Sequence, residues 1–432
     1  MSETSVKPKA GGCPHFPAFD PLHPEQISNP HPILAAARAE QPVFYMDKYD
    51  LWVVTRRDDV MSIYKDMVTF SNGGAHQPLS PKTQAVIDRV GEQWKLPVDN
   101  NINVLDPPHH MTPKRVLVTV FQKALVGMDD WIVSRLNQLV DSFVADGEAD
   151  LVSAFTWPLT VSVLSRLIGV PREDTHRFKE WAENWFELTG SNQLPPERAE
   201  ACWMGFVDFE AFVFDLIEDR RKNPQHDLIS RLVEAQGGGA PISDRQIVTN
   251  MIGLVAAGTD TTANSIGQMV YMLLSNPEQL REVRENPAFR PQMIEELLRL
   301  RGPVRGLIRT TTRMVELGGV AIPEGARVYV HIGSASRDET VFDDPHRFDI
   351  HRPNIHKHMA FGALSRLCLG APLARLEMRK ALDVLLDRLP DLRLAPDQGP
   401  LHYTQSLIVP SLKGLRVLWS PPASDTRPQV GL

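Results

Sequence analysis

Cysteine is scarce in this chain: three in 432 residues, Cys13, Cys202 and Cys368. Sulfurs so few and so far apart make no disulfide framework. A reducing compartment is expected, and any chemical role for one of them is as a ligand or a nucleophile. Long apolar runs are missing as well. Nothing approaches the ~18 consecutive apolar residues of a membrane-spanning helix, and the polar stretch Met1 to Gly12 lacks the apolar core of a secretory signal. A basic excess is also absent. Lys plus Arg is 46 against 53 for Asp plus Glu, a difference of −7, which argues against a nucleic-acid binder. No repeat recurs at a period of roughly 20–50 residues. These absences leave a soluble, cytoplasmic protein with no membrane anchor and no nucleic-acid partner as the expectation.

What is present is a large apolar fraction, 42% of the residues. For a chain of this size about three quarters of the unfolded surface can be buried, enough for a big core and an enclosed cofactor. Residues 1–31, rich in Pro, Gly and His, read as an irregular arm. Residues 32–420 read as one catalytic domain and 421–432 as a tail. Pro42 to Met46 and Leu51 to Thr55 form two strand-like runs around the turn-like Asp47–Asp50. The segment 71–108 is loop-rich, studded with Gly73, Gly74, Pro78, Pro81, Pro97, Pro107 and Pro108, and long irregular segments in compact domains are usually functional. From 112 to 300 helical periodicity dominates. Leu317 to Val330 suggests a second hairpin with its turn at Pro323 and Gly325, and the C-terminal part carries short strand-like runs at Leu407–Val409 and Leu415–Leu418. The fold class expected is mainly α with small β-sheets (α+β).

Ile242-Ser-Asp-Arg-Gln-Ile247 is a helix start. Ser243 can cap, Gln246 stands three residues on as in a capping box, and Ile242 with Ile247 can close a hydrophobic staple. Nothing interrupts the pattern before Asn276-Pro277, so the spacing predicts a helix of about 30 residues, roughly 45 Å long. Its flanks are apolar nearly all round and should run through the core. Its middle, Gly258-Thr-Asp-Thr-Thr262, puts an acid and three hydroxyls where burial is expected. Two readings stand: a bend with threonines bonded back to the preceding turn, or a polar gap facing a cavity, where acid and hydroxyl handle protons.

Cys368 lies in Phe361-Gly-Ala-Leu-Ser-Arg-Leu-Cys-Leu-Gly370, just before a helix whose Leu382, Leu385, Leu386 and Leu389 are spaced to pack inward. A cysteine there meets backbone N–H donors and the positive end of a helix dipole, both favouring thiolate. Gly362 and Gly370 let the backbone approach something flat.

Phe361-Gly-x-x-x-Arg366-x-Cys368-x-Gly370 resembles the haem-binding loop of cytochrome P450 monooxygenases. Ala257-Gly-Thr-Asp-Thr-Thr262 is similar to that family's oxygen-activation motif, and Glu296-Leu-Leu-Arg299 to its Glu-x-x-Arg element, with Arg347 completing a Glu-Arg-Arg network. The resemblance extends from about Pro32 to Trp419 and implies a cytochrome P450-like fold with the long helix crossing its core. It implies haem b (iron protoporphyrin IX) as cofactor, with Cys368 as the thiolate ligand of its iron. Phe361, Gly362 and Gly370 would then form the loop beside it. His110, Lys114, Arg309 and Arg366 would face the haem carboxylates as cationic partners, Lys114 keeping the charge of the family's usual Arg without its bidentate fork. One position departs from the pattern: Leu364 stands where the family has glycine. Leucine at positive φ is costly, so the loop is expected to take another course there or the leucine to pack on the haem.

The activity implied is insertion of one atom of O₂ into a small hydrophobic organic substrate, by hydroxylation or oxidative demethylation, with Asp260 and Thr261 assisting proton delivery. Three cysteines cannot supply a Cys₄ cluster, and the length leaves no space for a flavin domain. A ferredoxin with its ferredoxin reductase is therefore expected as electron donor to a monomeric enzyme, docking on a basic face of Arg375, Arg379 and Lys380. Two other readings remain: a peroxide-using or isomerising haem-thiolate enzyme, which has no need of Asp260 and Thr261, and a non-catalytic haem or lipophile carrier. The substrate pocket should be bounded by the 72–104 loop, the Trp181–Trp203 region, the Val255–Thr261 face, Val304–Ile308 and the Gln405–Leu407 turn. Trp181, Trp185, Phe186 and Trp203 are its candidate aromatic lining, and Arg305 a candidate partner for an oxygenated substrate.

Overall fold

The helical periodicity of the middle of the chain becomes a stack of helices around one long member. The structure is a computed structural model that describes residues 13–73, 80–95, 100–189 and 194–422, the side chains of Lys179, Phe186 and Thr189 excepted. Residues 1–12 of the arm, 423–432 of the tail, and Gly74, Pro78 and Pro97 lie outside the described residues. The central helix runs Asp244–Leu274. Its capping box forms as the sequence predicts: the Ser243 side chain accepts from the Gln246 N–H, and the Gln246 side chain accepts from the Ser243 N–H. Helices Trp157–Ile168, Thr175–Thr189, Pro196–Lys222, Arg290–Arg301 and Ala371–Arg388 pack against it. One large apolar core joins them, with Ile247, Ile252, Ile266 and Met269 of the central helix almost fully buried in it. That burial is the main stabilising term for a helix with few charges of its own.

The strands, in chain order, are β1 Val43–Met46, β2 Leu51–Val54, β3 Phe70–Ser71, β4 Glu148–Asp150, β5 Leu307–Thr311, β6 Val315–Leu317, β7 Val320–Ile322, β8 Arg327–Val330, β9 Arg393–Leu394 and β10 Arg416–Leu418. Five of them make the largest sheet, in the order β1-β2-β8-β5-β3. Only β2 and β8 are parallel in it, with Val53 opposite Tyr329. A three-stranded sheet, β4-β10-β9, and the hairpin β6-β7 complete the set.

Three local expectations are corrected. The second hairpin turns at Gly318-Gly319, both at positive φ (57° and 76°), not at Pro323 and Gly325. Two adjacent left-handed residues match the twist of a tight hairpin, whereas the Pro323–Gly325 turn carries the chain into β8 of a different sheet. Leu407–Val409 forms no strand. The Ser406 hydroxyl accepts from the N–H groups of Ile408 and Val409, and the Leu407 and Ile408 carbonyls are taken by Tyr329 Oη and the Arg305 N–H. The described part of the arm is not irregular throughout. Pro24–Ser28 and His31–Glu40 are helical, and Phe16 and Phe19 are anchored by ring contacts with Phe44 at 5.5 and 5.9 Å.

A fourth correction concerns the buried ion network. Glu296 and Arg299 pair as expected, through two hydrogen bonds of 2.6 and 2.8 Å on the fully buried face of helix Arg290–Arg301. The second arginine, however, is Arg352. Its Nε donates to Glu296 Oε1 at 3.1 Å, and its other nitrogens donate to the Asp343, Asp344 and Arg347 carbonyls. Arg347 lends only its carbonyl oxygen, which also accepts from Arg299; its side chain is 63% exposed and pairs with Asp349. The chain turns at Asp344, a non-glycine residue at positive φ, which swings the Arg347 side chain outward and brings Arg352 in. Removing one partner of a buried pair leaves a stranded charge. Arg352→Met should therefore lower the unfolding free energy by about 3–5 kcal/mol, while Arg347→Met should change it by about 0.5 kcal/mol or less. Denaturant titrations of the two variants with equal losses would return Arg347 to the network.

Candidate active site

The cysteine loop is folded by its own backbone. The Cys368 N–H donates to the Phe361 carbonyl at 2.9 Å, Arg366 N–H to Ala363, and Leu367 N–H to Leu364. Lys114, from helix Met111–Ala124, clamps it from outside, its Nζ donating to the Ser365 and Leu367 carbonyls at 2.6 and 2.9 Å. Gly362 sits at φ 74°, where a Cβ would come within 3.0 Å of the Arg366 carbonyl oxygen. These contacts hold Leu364 at φ 52°. The loop thus keeps the left-handed course despite leucine, against the expectation that it would deviate. A strained backbone persists where its surroundings over-determine it. Nor does the leucine pack inward: it is 55% exposed and is not part of the wall of the interior cavity described next.

That cavity, about 320 Å³, lies between the cysteine loop and the central helix. Cys368, Phe361, Gly362, Gly370, Arg366, Lys114, Arg309 and Thr261 all line it, so the structure brings eight of the ten expected site residues together. Cys368 is exposed by surface area although the protein surrounds it on nearly all sides. Both hold, because its free surface opens onto the interior cavity. Burial pushes the thiol up, opposed by the Gly370 and Ala371 N–H groups and by the charges of Lys114 and Arg375. The helix N-terminus therefore acts in the expected direction, but in the bare protein it is outweighed by desolvation.

Two expected residues stand off the wall. His110 is fully buried, with neither ring nitrogen hydrogen-bonded. Burial, then Arg366 and Lys114, lowers its pKa to about 4, so it is a neutral donor at physiological pH and not the cation the sequence suggested. Asp260 also faces away from the cavity, towards Ser411, which hydrogen-bonds it, and Glu183. Its Oδ1 has no hydrogen-bond partner, and burial raises its pKa to about 6. Thr261, one residue on, does reach the cavity, and its hydroxyl donates to the Ala257 carbonyl one turn back. Thr259 and Thr261 bond back to Val255 and Ala257 as the first reading of this stretch expects, along a helix that stays unbroken, and Thr261 and Thr262 face a cavity as the second expects.

Four of the five expected edges line the cavity, through Asn72 and Asn101–Asn103, Trp185, residues of the Met251–Thr262 face, and Val304, Leu307 and Ile308; the fifth, Gln405–Leu407, does not, and the next two residues, Ile408 and Val409, take its place. Of the aromatic candidates only Trp185 lines it. Trp181 packs edge-on against Phe209, 4.9 Å away, Trp203 donates its ring N–H to Ser80 and Pro81 carbonyls, and the Phe186 side chain lies outside the described residues. Arg305 is not on this wall. Arg375 is spent on a bidentate pair with Glu295, and Arg379 and Lys380 both approach Asp129, so the expected basic docking face is largely neutralised.

Sequence reasoning missed Tyr64 and Glu377, which also line the cavity. The Tyr64 hydroxyl is buried without a partner, and its ring lies 5.8 Å from the Arg309 guanidinium. Glu377 is 2% exposed, and burial raises its pKa well above the ordinary value. One signal was available for it: a carboxylate within the i, i+4 stripe Leu373, Glu377, Ala381, Leu385 that otherwise reads as core.

The donor set at the cysteine end of the cavity fits haem. Lys114, Arg309 and Arg366 converge there with the unpartnered Tyr64 hydroxyl and Arg366 Nε. The one carboxylate near them, Asp106, is engaged by Ser71, the Asn72 N–H and Arg366. Three cations sharing one carboxylate that is already engaged elsewhere call for anionic oxygens from a ligand. A sulfur on the same wall suits an iron centre.

A sequence model described as "Cytochrome P450" matches residues 63–414. The chain belongs to the cytochrome P450 family. It is 34% identical over 412 residues to "Cytochrome P450 107B1" of Saccharopolyspora erythraea, covering 94% of this chain and 98% of that one. It is 33% identical over 375 residues to the "Mycinamicin IV hydroxylase/epoxidase" of Micromonospora griseorubida, covering 86% and 90%. Among solved structures, "cytochrome P450 CREJ in complex with (4-ethylphenyl) dihydrogen phosphate" superposes with a TM-score of 0.86 at 27% identity, over 93% of this chain and 99% of that one. This P450 is accordingly a haem b-dependent monooxygenase that incorporates oxygen from O₂ into a hydrophobic substrate, drawing electrons from a redox partner. No helix among the described residues is long and apolar enough to cross a membrane.

Asp260 supplies a pH test of the geometry. Its folded pKa, about 6, lies above the ordinary 3.8, so above pH 6 the folded state carries the full cost of a buried carboxylate. That cost, about 2–3 kcal/mol, shrinks as the pH falls through 6 and is gone below the unfolded value. Asp260→Asn should therefore be the more stable protein at pH 7.5, with the gap closing as the pH falls towards 4 in denaturant titrations. A gap independent of pH would mean that the carboxyl is not desolvated.

Proposed function

We propose that Cys368 is the thiolate ligand of the haem iron, and that Lys114, Arg309, Arg366, Tyr64 and the neutral His110 receive the haem carboxylates. The observation that carries this reading is the convergence on one cavity of Cys368 and three cations that share a single carboxylate, Asp106, 3.5 Å from Arg366. Haem bound there would supply the chemistry of dioxygen activation, and Cys368 would hold it as a thiolate, a form that burial disfavours in the absence of a metal ligand bond. Phe361, Gly362 and Gly370 shape the loop that presents the sulfur. Lys114 fixes that loop through two carbonyls, so the lysine serves as clamp and as charge together.

The chain's part in proton delivery falls to Asp260 and Thr261. A carboxyl with a pKa of about 6 is protonated in about a tenth of molecules at neutrality, far more than an ordinary aspartate, and can both take up and give back a proton there. It faces the Ser411 side of the helix and serves as the store. The Thr261 hydroxyl, on the cavity side, is the outlet: it accepts a proton from the Asp260 side and donates its own into the cavity, letting go of the Ala257 carbonyl as it does so. Such a store has no purpose in a peroxide-using or carrier protein, which favours the monooxygenase reading over both.

The substrate is a small hydrophobic molecule oxidised by hydroxylation or oxidative demethylation. Supporting this, the wall away from the cations is made of Leu164, Trp185, Leu228, Met251, Leu254 and Val409, and one relative is named for hydroxylation and epoxidation of mycinamicin IV. The electron donor is a ferredoxin with its reductase, which supplies the four-thiolate cluster that Cys13, Cys202 and Cys368 cannot form. Its approach is towards the outer side of the cysteine loop, where Leu364 is exposed.

The test is a pair of variants in haem-loaded protein. Cys368→Ala should abolish the thiolate signature in the carbon monoxide spectrum of the reduced protein, and an unaltered spectrum would overturn the ligand assignment. Thr261→Ala should load haem normally yet divert most reducing equivalents to peroxide; an unchanged ratio of product to reductant would remove Thr261 from proton delivery.

A further inference from the structure

At the start of helix His31–Glu40 the protein gathers positive charge that its own carboxylates do not answer. Glu296 is occupied by Arg299 and Arg352, and Glu339 by Arg38. Arg301, Arg305 and Arg337 remain, and none of them has an ion-pair partner among the described residues. Arg337 is 5% exposed. It donates to the Leu300 carbonyl and to His346 Nδ1, while its Nε has no hydrogen-bond partner. Arg305 spends one of its five N–H donors on the Ile27 carbonyl, at 3.3 Å. His31, 7% exposed, has a buried Nε2 without a partner. Burial, followed by the charges of Arg337, Arg305 and Arg301, drives its pKa well below the ordinary value. Its ring is therefore neutral and able to donate from Nε2.

A second, separate cavity of about 10 Å³ opens among these groups, lined on its polar side by His31, Arg299, Arg305 and Ser336. Leu298, Val304, Ile332 and Ala360 line both this cavity and the central one, so they form the partition between the two. The space suits one particle the size of a water molecule. A water would satisfy donors but leave the buried Arg337 and the partly buried Arg305 and Arg301 uncompensated, which is the expensive arrangement. A polyatomic oxyanion is too large. A single monatomic anion satisfies both requirements.

We propose that this cavity binds one chloride ion, held by the His31 Nε2–H and the Arg305 guanidinium in the field of Arg301 and Arg337. The ion ties together three segments distant in sequence: the first turn of His31–Glu40, the Gly302–Arg305 stretch that follows helix Arg290–Arg301, and the Ile332–Arg337 turn. It is a structural anion site lying behind the wall of the active-site cavity, and it does not depend on the roles assigned to Cys368 or Thr261.

The decisive experiment is crystallographic, on haem-loaded protein crystallised with bromide in place of chloride. The expected result is an anomalous peak in contact with His31 Nε2 and Arg305. A cavity without anomalous signal at high bromide holds water only and overturns the proposal. A solution measurement gives the same answer independently. At constant ionic strength, thermal unfolding in chloride against gluconate should show a saturable rise in Tm for the parent protein and for Arg347→Met, and none for Arg305→Met, which keeps the stem and loses the charge. An equal chloride response in the parent and in Arg305→Met would overturn the site. Should Arg305→Met fail to fold, the bromide map still decides.

Discussion

A carboxylate with no exposure to solvent, Glu296, sets the geometry on which the cysteine side of the molecule depends. It cannot stay ionised in an apolar core by itself, and it recruits Arg299 from its own helix and Arg352 from the irregular segment that precedes the cysteine loop. Those guanidinium groups have donors to spare, which they give to the Ser336, Asp343, Asp344, Pro345 and Arg347 carbonyls. A stretch with no helix or strand of its own thereby has its backbone oxygens satisfied. Met359, immediately before the cysteine loop, is fastened by its N–H to the Ser336 hydroxyl. One buried charge thus does for this segment what a sheet ladder does elsewhere, and the loop carrying Cys368 starts from a fixed point.

The opposite wall obeys a different constraint. The central helix is long and apolar enough to cross the core, so each polar group in it must be satisfied locally or face a cavity. Thr259 and Thr261 bond back to Val255 and Ala257, and Ser265 to Thr261. Asn250 and Asn264 reach out to the Ile102 N–H and the Pro410 carbonyl, tying two loops that border the cavity to the helix. Close packing continues through the glycines: a Cβ on Gly253 would fall 2.3 Å from Asn101 Nδ2, and one on Gly258 2.9 Å from Leu164. The groups left over include Asp260 Oδ1 and Asn264 Oδ1, which have no hydrogen-bond partner, while Thr261, Thr262 and Ser265 line the cavity.

Much of this was legible in the sequence because it is encoded locally. The cap at Ser243, the start of the helix after Cys368 and the strands on either side of Asp47–Asp50 need only neighbours within a few residues, and they formed. The motifs around Cys368 and Gly258–Thr262 placed six of the ten site residues on one wall, and Lys114 and Arg309 join them there. Failures occurred where the outcome depended on side-chain direction or on distant partners. Arg347 and Arg352 are equally plausible on paper, and the left-handed turn at Asp344 decides between them. Trp181 and Trp203 face the core because partners over twenty residues away, Phe209 and Ser80, claim them. Arg375 looked free until Glu295, eighty residues earlier, proved to hold it. Leu364 shows the reverse case, a local preference against positive φ overridden by a loop pinned at both ends.

The two cavities follow from one rule applied twice. Around Glu296 the protein supplies more guanidinium than carboxylate, and around Cys368 it does the same with Lys114, Arg309 and Arg366. An excess of buried cations is unfavourable in isolation, so a fold that contains one is completed by something from outside the chain. At the larger cavity the completing group must be broad enough to span the loop and the central helix while carrying carboxylates at one end. At the smaller it must be a single atom with a negative charge. Since Leu298, Val304, Ile332 and Ala360 separate the two cavities, the same segments that close the smaller one also form part of the floor of the larger. The positive charge behind that floor therefore belongs to the electrostatics of the active site as much as to the stability of the fold.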